Sequence, residues 1–460
     1  MLHAVPPRAR GGAGSCPGPG GAAVSADPAA FLAALRATPP RRMPVSGAMP
    51  AAAPPGPDLV NAVIRWHDPG PAPDFVVGLK DIFAAPGHSP GGGTALPLDP
   101  LGGPATVVAR LQAAGGGIAA WLNLDELSAG GSGENLRHGR CRNPWAEDRL
   151  TGGSSSGSAA AVASGAVPMS LGSDAGGSIR IPSAWCGVTG HKPTYGHVSR
   201  AGALARAWSV DCIGPLGRRA DHCAALLSVI AGEDPADPTT WRPPDPGDTV
   251  APEDLRIGLV VGLADPETER ALAAAADALR ALGCRVVPRR LPDLRQMNRD
   301  HQTIVKAEAA ALHHASAEAE PGRVEPAIAA ALRAGAQITA TELLRARDRR
   351  VAATAVAGET LFAGCDLLLM PVTPGPAPRA EAGAARRFDD DAALTRFANF
   401  LGLPATAFPV GLPRDGLPRA AQLVGRPFED SLCLGVVAAF QAVTAHHLAL
   451  PPPPPDRAPR

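Results

Sequence analysis

The side chains able to do chemistry gather in one stretch, Thr151–Thr194, which reads TGGSSSGSAAAVASGAVPMSLGSDAGGSIRIPSAWCGVTGHKPT. Within it, Asp174-Ala175-Gly176-Gly177-Ser178 is a glycine turn that presents a hydroxyl together with bare backbone N–H groups. Glycines let the backbone approach a substrate closely, and successive N–H groups in such a turn form an anion-binding nest. A nest beside a serine suits an oxyanion hole beside its nucleophile. Serine alone is a poor nucleophile and needs a base. His138, His191 and His197 are near in sequence, so a Ser-His-Asp arrangement is open, although the G-x-S-x-G elbow is absent around Ser178.

A lysine is the other candidate base. Lys80, Lys192 and Lys306 are the only lysines in a chain whose Lys+Arg total is 43. A guanidinium stays charged in proteins, whereas a buried ammonium can lose its proton. Lys80 lies just after a strand candidate, Phe75–Leu79. Lys306 sits in a helical stretch, Ile304–His314, where a surface position explains it.

Two bland readings of the Ser/Gly stretch fail on its surroundings. Such composition usually marks a flexible linker, but here it feeds an alanine helix, Ser158–Gly165, then an apolar turn at Val167–Leu171 and a second glycine turn. A phosphate loop needs G-x-x-x-x-G-K-[ST] or G-x-G-x-x-G, and neither occurs.

The elements that must hold these groups alternate between strand and helix. Pro104–Ala114 reads as a helix and Ile118–Leu122 as an apolar strand. Arg256–Val261 is a strand, after which Asp265-Pro266 caps a helix that stops at Gly283. The strand Arg285–Val287 closes a βαβ-like unit. A long helix fits Thr341–Phe362, followed by strands Asp366–Met370 and Ala405–Val410 and a helix over Asp430–His446. The class is α/β, with one large domain over residues 58–450. Residues 1–57, rich in Gly, Pro, Ala and Arg, read as disordered apart from a short helix over Ala29–Ala37, and Met43 or Met49 is a candidate start. Residues 451–460 are a proline-rich tail.

Composition excludes several classes. Of 460 residues, 45% are hydrophobic, enough for a sizeable core, and 43 basic side chains balance 43 acidic ones. That balance argues against nucleic-acid binding by charge. No apolar run is long enough to span a membrane, and no secretory h-region opens the chain. Eight scattered cysteines read as reduced, buried thiols of a cytoplasmic protein. The pairs His313-His314 and His446-His447 point to different faces of a helix and make poor chelates, so no metal is expected.

Taken together, these residues resemble the amidase signature family of Ser–Ser–Lys hydrolases. Ser154 and Ser178 are 24 residues apart, as the family's two serines are. VGLKDI (Val77–Ile82), NLDE (Asn123–Glu126), GSGEN (Gly131–Asn135), RNPW (Arg142–Trp145), WSVDCIGP (Trp208–Pro215) and QLVGRPF (Gln422–Phe428) are similar to its other stretches. The resemblance covers roughly Asp74 to Ala439. It implies a central mixed β-sheet covered by helices on both faces. It also implies Ser178 as nucleophile, Ser154 as bridging serine after a cis peptide bond, and Lys80 as base. The N–H groups of Ala175, Gly176, Gly177 and Ser178 would form the oxyanion hole. Ser155 would help orient the lysine, and Asp174 and Arg180 would hold the turn as a structural ion pair. No cofactor is implied.

The chain departs from the family pattern at Val76, Trp121 and His191, and residues 1–57 lack the family's N-terminal helices. The reaction implied is hydrolysis of a small-molecule amide, with a homodimer admitted. A second reading is the amidase subunit of a tRNA-dependent amidotransferase, whose glutamine-site region is tyrosine-rich, whereas Pro326–Thr354 has no tyrosine. A third is a non-catalytic member of the family.

Overall fold

The computed structural model describes residues 40–45, 47–50, 52, 55–98, 103–242, 248–380 and 391–453. The Ala29–Ala37 helix and most of the proline-rich tail lie outside the described residues. Residues 40–45, which composition assigns to the low-complexity segment, lie against the domain. Arg41 pairs with Asp366 at 2.7 Å and Glu429 at 3.0 Å, and Arg42 bridges to Thr249.

Eleven strands form one mixed sheet in the order β1-β3-β2-β4-β6-β5-β10-β11-β9-β7-β8. They are β1 (Val63–Trp66), β2 (Phe75–Lys80), β3 (Gly116–Leu122), β4 (Met169–Asp174), β5 (Thr189–Lys192), β6 (Cys212–Gly217), β7 (Arg256–Leu259), β8 (Arg285–Pro288), β9 (Leu367–Pro371), β10 (Ala405–Gly411) and β11 (Arg419–Val424). Strands β2, β3 and β4 run parallel, as do β7, β8 and β9, and antiparallel pairs join the two groups through β6, β5, β10 and β11. Every residue of β2, β6, β9 and β11 is buried, as in a sheet covered on both faces.

Helix α1 (Ser156–Ser164) shows why the Ser/Gly stretch is no linker. It is buried along Ser156–Ala163, and a Cβ on Gly157 would come within 2.4 Å of the Asn123 nitrogen. Only small residues let this helix lie directly on the sheet. Val167–Leu171, expected to be a turn, instead leads into the central strand β4. Its small residues Ser170 and Gly172 hid a strand that pairs with β2 on one side and β6 on the other.

Four further helices cover the sheet: α2 (Arg180–Cys186), α3 (Pro266–Ala281), α4 (Arg295–Ala319) and α5 (Ala340–Ala355). Asp265 caps α3, its carboxylate accepting the N–H groups of Glu267 and Thr268. The long helix expected to begin at Thr341 starts one residue earlier, capped by Thr339 with a reciprocal bond from Glu342. It breaks at Val356, ahead of a short helix over Ala357–Thr360. A five-residue helix, α6 (Arg396–Phe400), packs near α4. All seven described cysteines are buried and free, and no described helix is long and apolar enough to cross a membrane.

Candidate active site

Strand β2 delivers Lys80 as its last residue, into a site where its side chain is fully buried. Its Nζ lies 2.7 Å from Ser154 Oγ and 2.9 Å from Ser173 Oγ. Among the described residues no carboxylate forms an ion pair with it. Burial lowers its pKa to about 7, against the pull of Asp125, Asp211 and Asp174, and Arg206 pushes the same way as burial. The amine is therefore partly unprotonated at neutral pH and in contact with two hydroxyls.

Ser154 precedes α1, and the Gly153–Ser154 peptide is cis. The Ser155 N–H donates to the Ser178 carbonyl at 3.2 Å, which ties the two serine-bearing loops together. Ser155 Oγ donates to the Ser173 carbonyl at 3.0 Å and accepts the Ser173 N–H at 3.2 Å. Ser155 thus reaches the lysine through Ser173 and does not touch Nζ. The Ser154 and Ser178 hydroxyls are not hydrogen-bonded to each other. In this structure the arrangement is joined at Lys80–Ser154 and open at Ser154–Ser178.

The glycine turn follows β4 and leads into α2. Asp174 and Arg180 are fully buried and paired twice, Nε–Oδ2 and Nη2–Oδ1, both at 3.1 Å. Burial alone would raise the Asp174 pKa, but Arg180 and the Ile179 N–H hold it far below the usual carboxylate range. Arg180 also donates to the Thr395 carbonyl, Gln422 Oε1 and Asn399 Oδ1. Every direction of its guanidinium fork is thereby used, as a buried ion needs.

Of the four N–H groups expected in the oxyanion hole, one is engaged elsewhere: Gly177 N–H donates to Asp174 Oδ1 at 2.7 Å. Ala175, Gly176 and Ser178 keep N–H groups with no protein acceptor among the described residues. The correction follows from the turn itself, because the carboxylate that braces the nest needs one of its donors. Gly177 has φ +135°, and a Cβ there would lie 2.5 Å from Thr395 Oγ1. The position demands glycine.

Several site residues escaped the sequence. Thr395 Oγ1 donates to the Gly176 carbonyl, and His301 Nε2 lies against the Ala175 carbonyl, each at 2.6 Å. Asp125 accepts the N–H groups of Ser132 and Gly133, and burial raises its pKa to about 6. A small cavity of about 130 Å³ opens on Ser178, walled among others by Ser128, Gly176, Arg206, His301 and Arg396. Of these groups only Asp125 stands in a motif, NLDE, and Ser173 carries no signal beyond its place before Asp174. The histidines considered for a triad lie elsewhere: His191 and His197 converge on Asp430, at 3.1 and 3.3 Å, and His138 bonds no serine. Among the described residues no group of three or more His, Cys, Asp or Glu could hold a metal ion.

The family model named Amidase matches residues 74–434. One relative, a subunit of glutamyl-tRNA(Gln) amidotransferase from Anaeromyxobacter sp. (strain K), is 38% identical over 423 residues, 82% of this chain and 83% of that protein. The corresponding subunit from Symbiobacterium thermophilum is 35% identical over 75% of this chain and 78% of its own length. Among solved structures, an amidase superposes with TM-score 0.74 at 31% identity, covering 83% of this chain and 92% of that one. The peptide amidase from Stenotrophomonas maltophilia gives 0.69 at 27%, covering 83% and 89%. By sequence and by fold, this chain belongs to the amidase signature family.

Proposed function

We propose that the chain hydrolyses the C–N bond of a carboxamide through an acyl-enzyme on Ser178. The observation that carries this reading is the Lys80 amine, buried, without a carboxylate ion-pair partner among the described residues and in contact with Ser154. Unprotonated Lys80 takes the Ser154 proton as Ser154 takes that of Ser178. The Ser178 oxygen attacks the amide carbon, and the resulting oxyanion is met by the free N–H groups of Ala175, Gly176 and Ser178. The second link closes by a χ1 rotation of one serine, an ordinary tightening on substrate binding. The relay then runs backwards and protonates the leaving nitrogen, so ammonia or an amine departs and the ester remains. Water, deprotonated by the same relay, attacks the ester and releases the carboxylate.

A fluorophosphonate probe is expected to label Ser178 in the wild type, and ammonia release is expected from a panel of small amides. A chain that takes up no label and releases no ammonia would be the non-catalytic member.

The comparisons favour the second reading of the sequence over a free-standing small-molecule amidase, since both relatives are named as a subunit of glutamyl-tRNA(Gln) amidotransferase. In that reading the amide is glutamine and the ammonia passes to a partner. The absence of tyrosine from Pro326–Thr354 weighs against it. Purification from the native source decides: recovery of a tRNA-binding partner with glutaminase activity supports the amidotransferase, and recovery of the chain alone with activity on free amides supports the amidase.

A further inference from the structure

Arg206 stands on the wall of the cavity that opens on Ser178. Only its backbone N–H is engaged, donating to Asp211 Oδ2 at 2.8 Å. Among the described residues its guanidinium makes no hydrogen bond and no ion pair. Burial lowers its pKa to about 10, with Asp211 and Asp125 pulling upward, so it is charged at neutral pH. A half-buried, charged fork of five donors without a protein acceptor among the described residues is open to an acceptor that a ligand supplies.

Two more orphans share this wall. Ser128 Oγ and His301 Nδ1 are buried with no hydrogen-bond partner among the described residues. Burial and Arg396 keep His301 neutral, its pKa held to about 3. Its Nε2 faces the Ala175 carbonyl, so the proton is there and Nδ1 is a bare acceptor. Ser128 has φ +56° and Leu127 φ +50°, an uncommon conformation for side-chain-bearing residues that sets Ser128 on the cavity wall. Lys306 adds an exposed ammonium at the rim. No Asp or Glu is among the described residues that line the cavity.

We propose that this wall is a carboxylate subsite, in which Arg206 and the Ser128 hydroxyl hold an anionic group carried on the acyl chain of the amide. His301 Nδ1 takes an N–H of the carboxamide. The substrate class that fits is the monoamide of a short dicarboxylic acid, without an ammonium group, for which the wall offers no counter-charge. The inference rests on the amide-hydrolysis reading for its chemistry, and its test is one of binding.

Ser178→Ala protein, which forms no acyl-enzyme, is titrated by calorimetry with glutaramate, with the neutral pentanamide and with glutamine. Glutaramate is expected to bind at least tenfold tighter than pentanamide, and tighter than glutamine. Adding Arg206→Met is expected to bring the glutaramate-to-pentanamide ratio near one, and Arg206→Lys to leave it in between. The lysine variant also keeps the test open if the methionine variant does not fold. Equal binding of the charged and neutral amides, no binding of glutaramate, or an unchanged ratio in both variants would overturn the subsite. Glutamine binding more tightly than glutaramate would overturn the substrate class. Selective binding of glutaramate by a wild-type chain that cannot hydrolyse it would instead break the functional reading and leave the subsite standing.

Discussion

Lys80 and Lys192 are buried to the same degree, each the last residue of a strand, and burial lowers the pKa of both. Their neighbours differ. The Lys80 amine touches two hydroxyls, which can give up a proton and regain it. The Lys192 amine donates to the Pro193 carbonyl at 2.9 Å and lies 3.9 Å from Cys212 Sγ. A carbonyl has no proton to give, and burial raises the pKa of that thiol. Lys192 is thus fixed as a donor that satisfies a buried carbonyl. Burial makes an amine basic in the useful range, and its contacts decide whether that basicity is used.

The sharpest way to break this contrast is to replace each lysine by methionine. Lys80→Met is expected to lower kcat by about 10³-fold or more, as removal of a relay member does. Lys192→Met is expected to keep kcat within about threefold, with thermal melting recorded so that lost fold is not read as lost chemistry. Comparable losses in the two variants would end the distinction.

The pH dependence follows from the same amine. The relay needs Lys80 unprotonated, so kcat/KM is expected to climb as pH rises through about 7 and to level off above it. Stability moves in a linked way. The folded pKa lies below the unfolded value of about 10.4, so the unfolded chain binds the extra proton between the two. The cost of burying this lysine is greatest below pH 7, fades as pH rises and is gone above the unfolded pKa. Lys80→Met is therefore expected to melt higher than the wild type at pH 6, with the gap closing towards pH 10. A gap that does not change with pH would show that the amine is not held neutral.

Much of this was legible in the residues. Lysine is rare in the chain, which marks Lys80 as a candidate base, and the glycine turn marks Ser178 as a candidate nucleophile. Asp174 and Arg180 are six residues apart, close enough for their pairing to be read from one segment. What could not be read came from elsewhere in the chain. Thr395 and His301 reach the nest from beside α6 and from α4, and neither lies in a motif. Ser170, Gly172 and Ser173 concealed a central strand, because strand propensity reflects packing on a half-buried surface and these residues contribute little of it. Gly177 stands in the turn as expected, but its N–H is taken by the Asp174 carboxylate, a contact that composition does not reveal.

The smallest expected effect concerns Ser173, the hydroxyl that Lys80 touches besides that of Ser154. Ser173→Ala leaves the backbone bonds to Ser155 in place, since these use the Ser173 N–H and C=O, and removes only the contact to Nζ. One hydrogen bond contributes about 1 kcal/mol net, so kcat is expected to fall by about tenfold or less. The hydroxyl also accepts from the ammonium form. Its loss should therefore shift the midpoint of the kcat/KM profile to lower pH. A fall as deep as that of Lys80→Met would make Ser173 a member of the relay. No change in either quantity would mean that Ser154 alone holds the amine, and the contrast with Lys192 would then rest on a single hydroxyl.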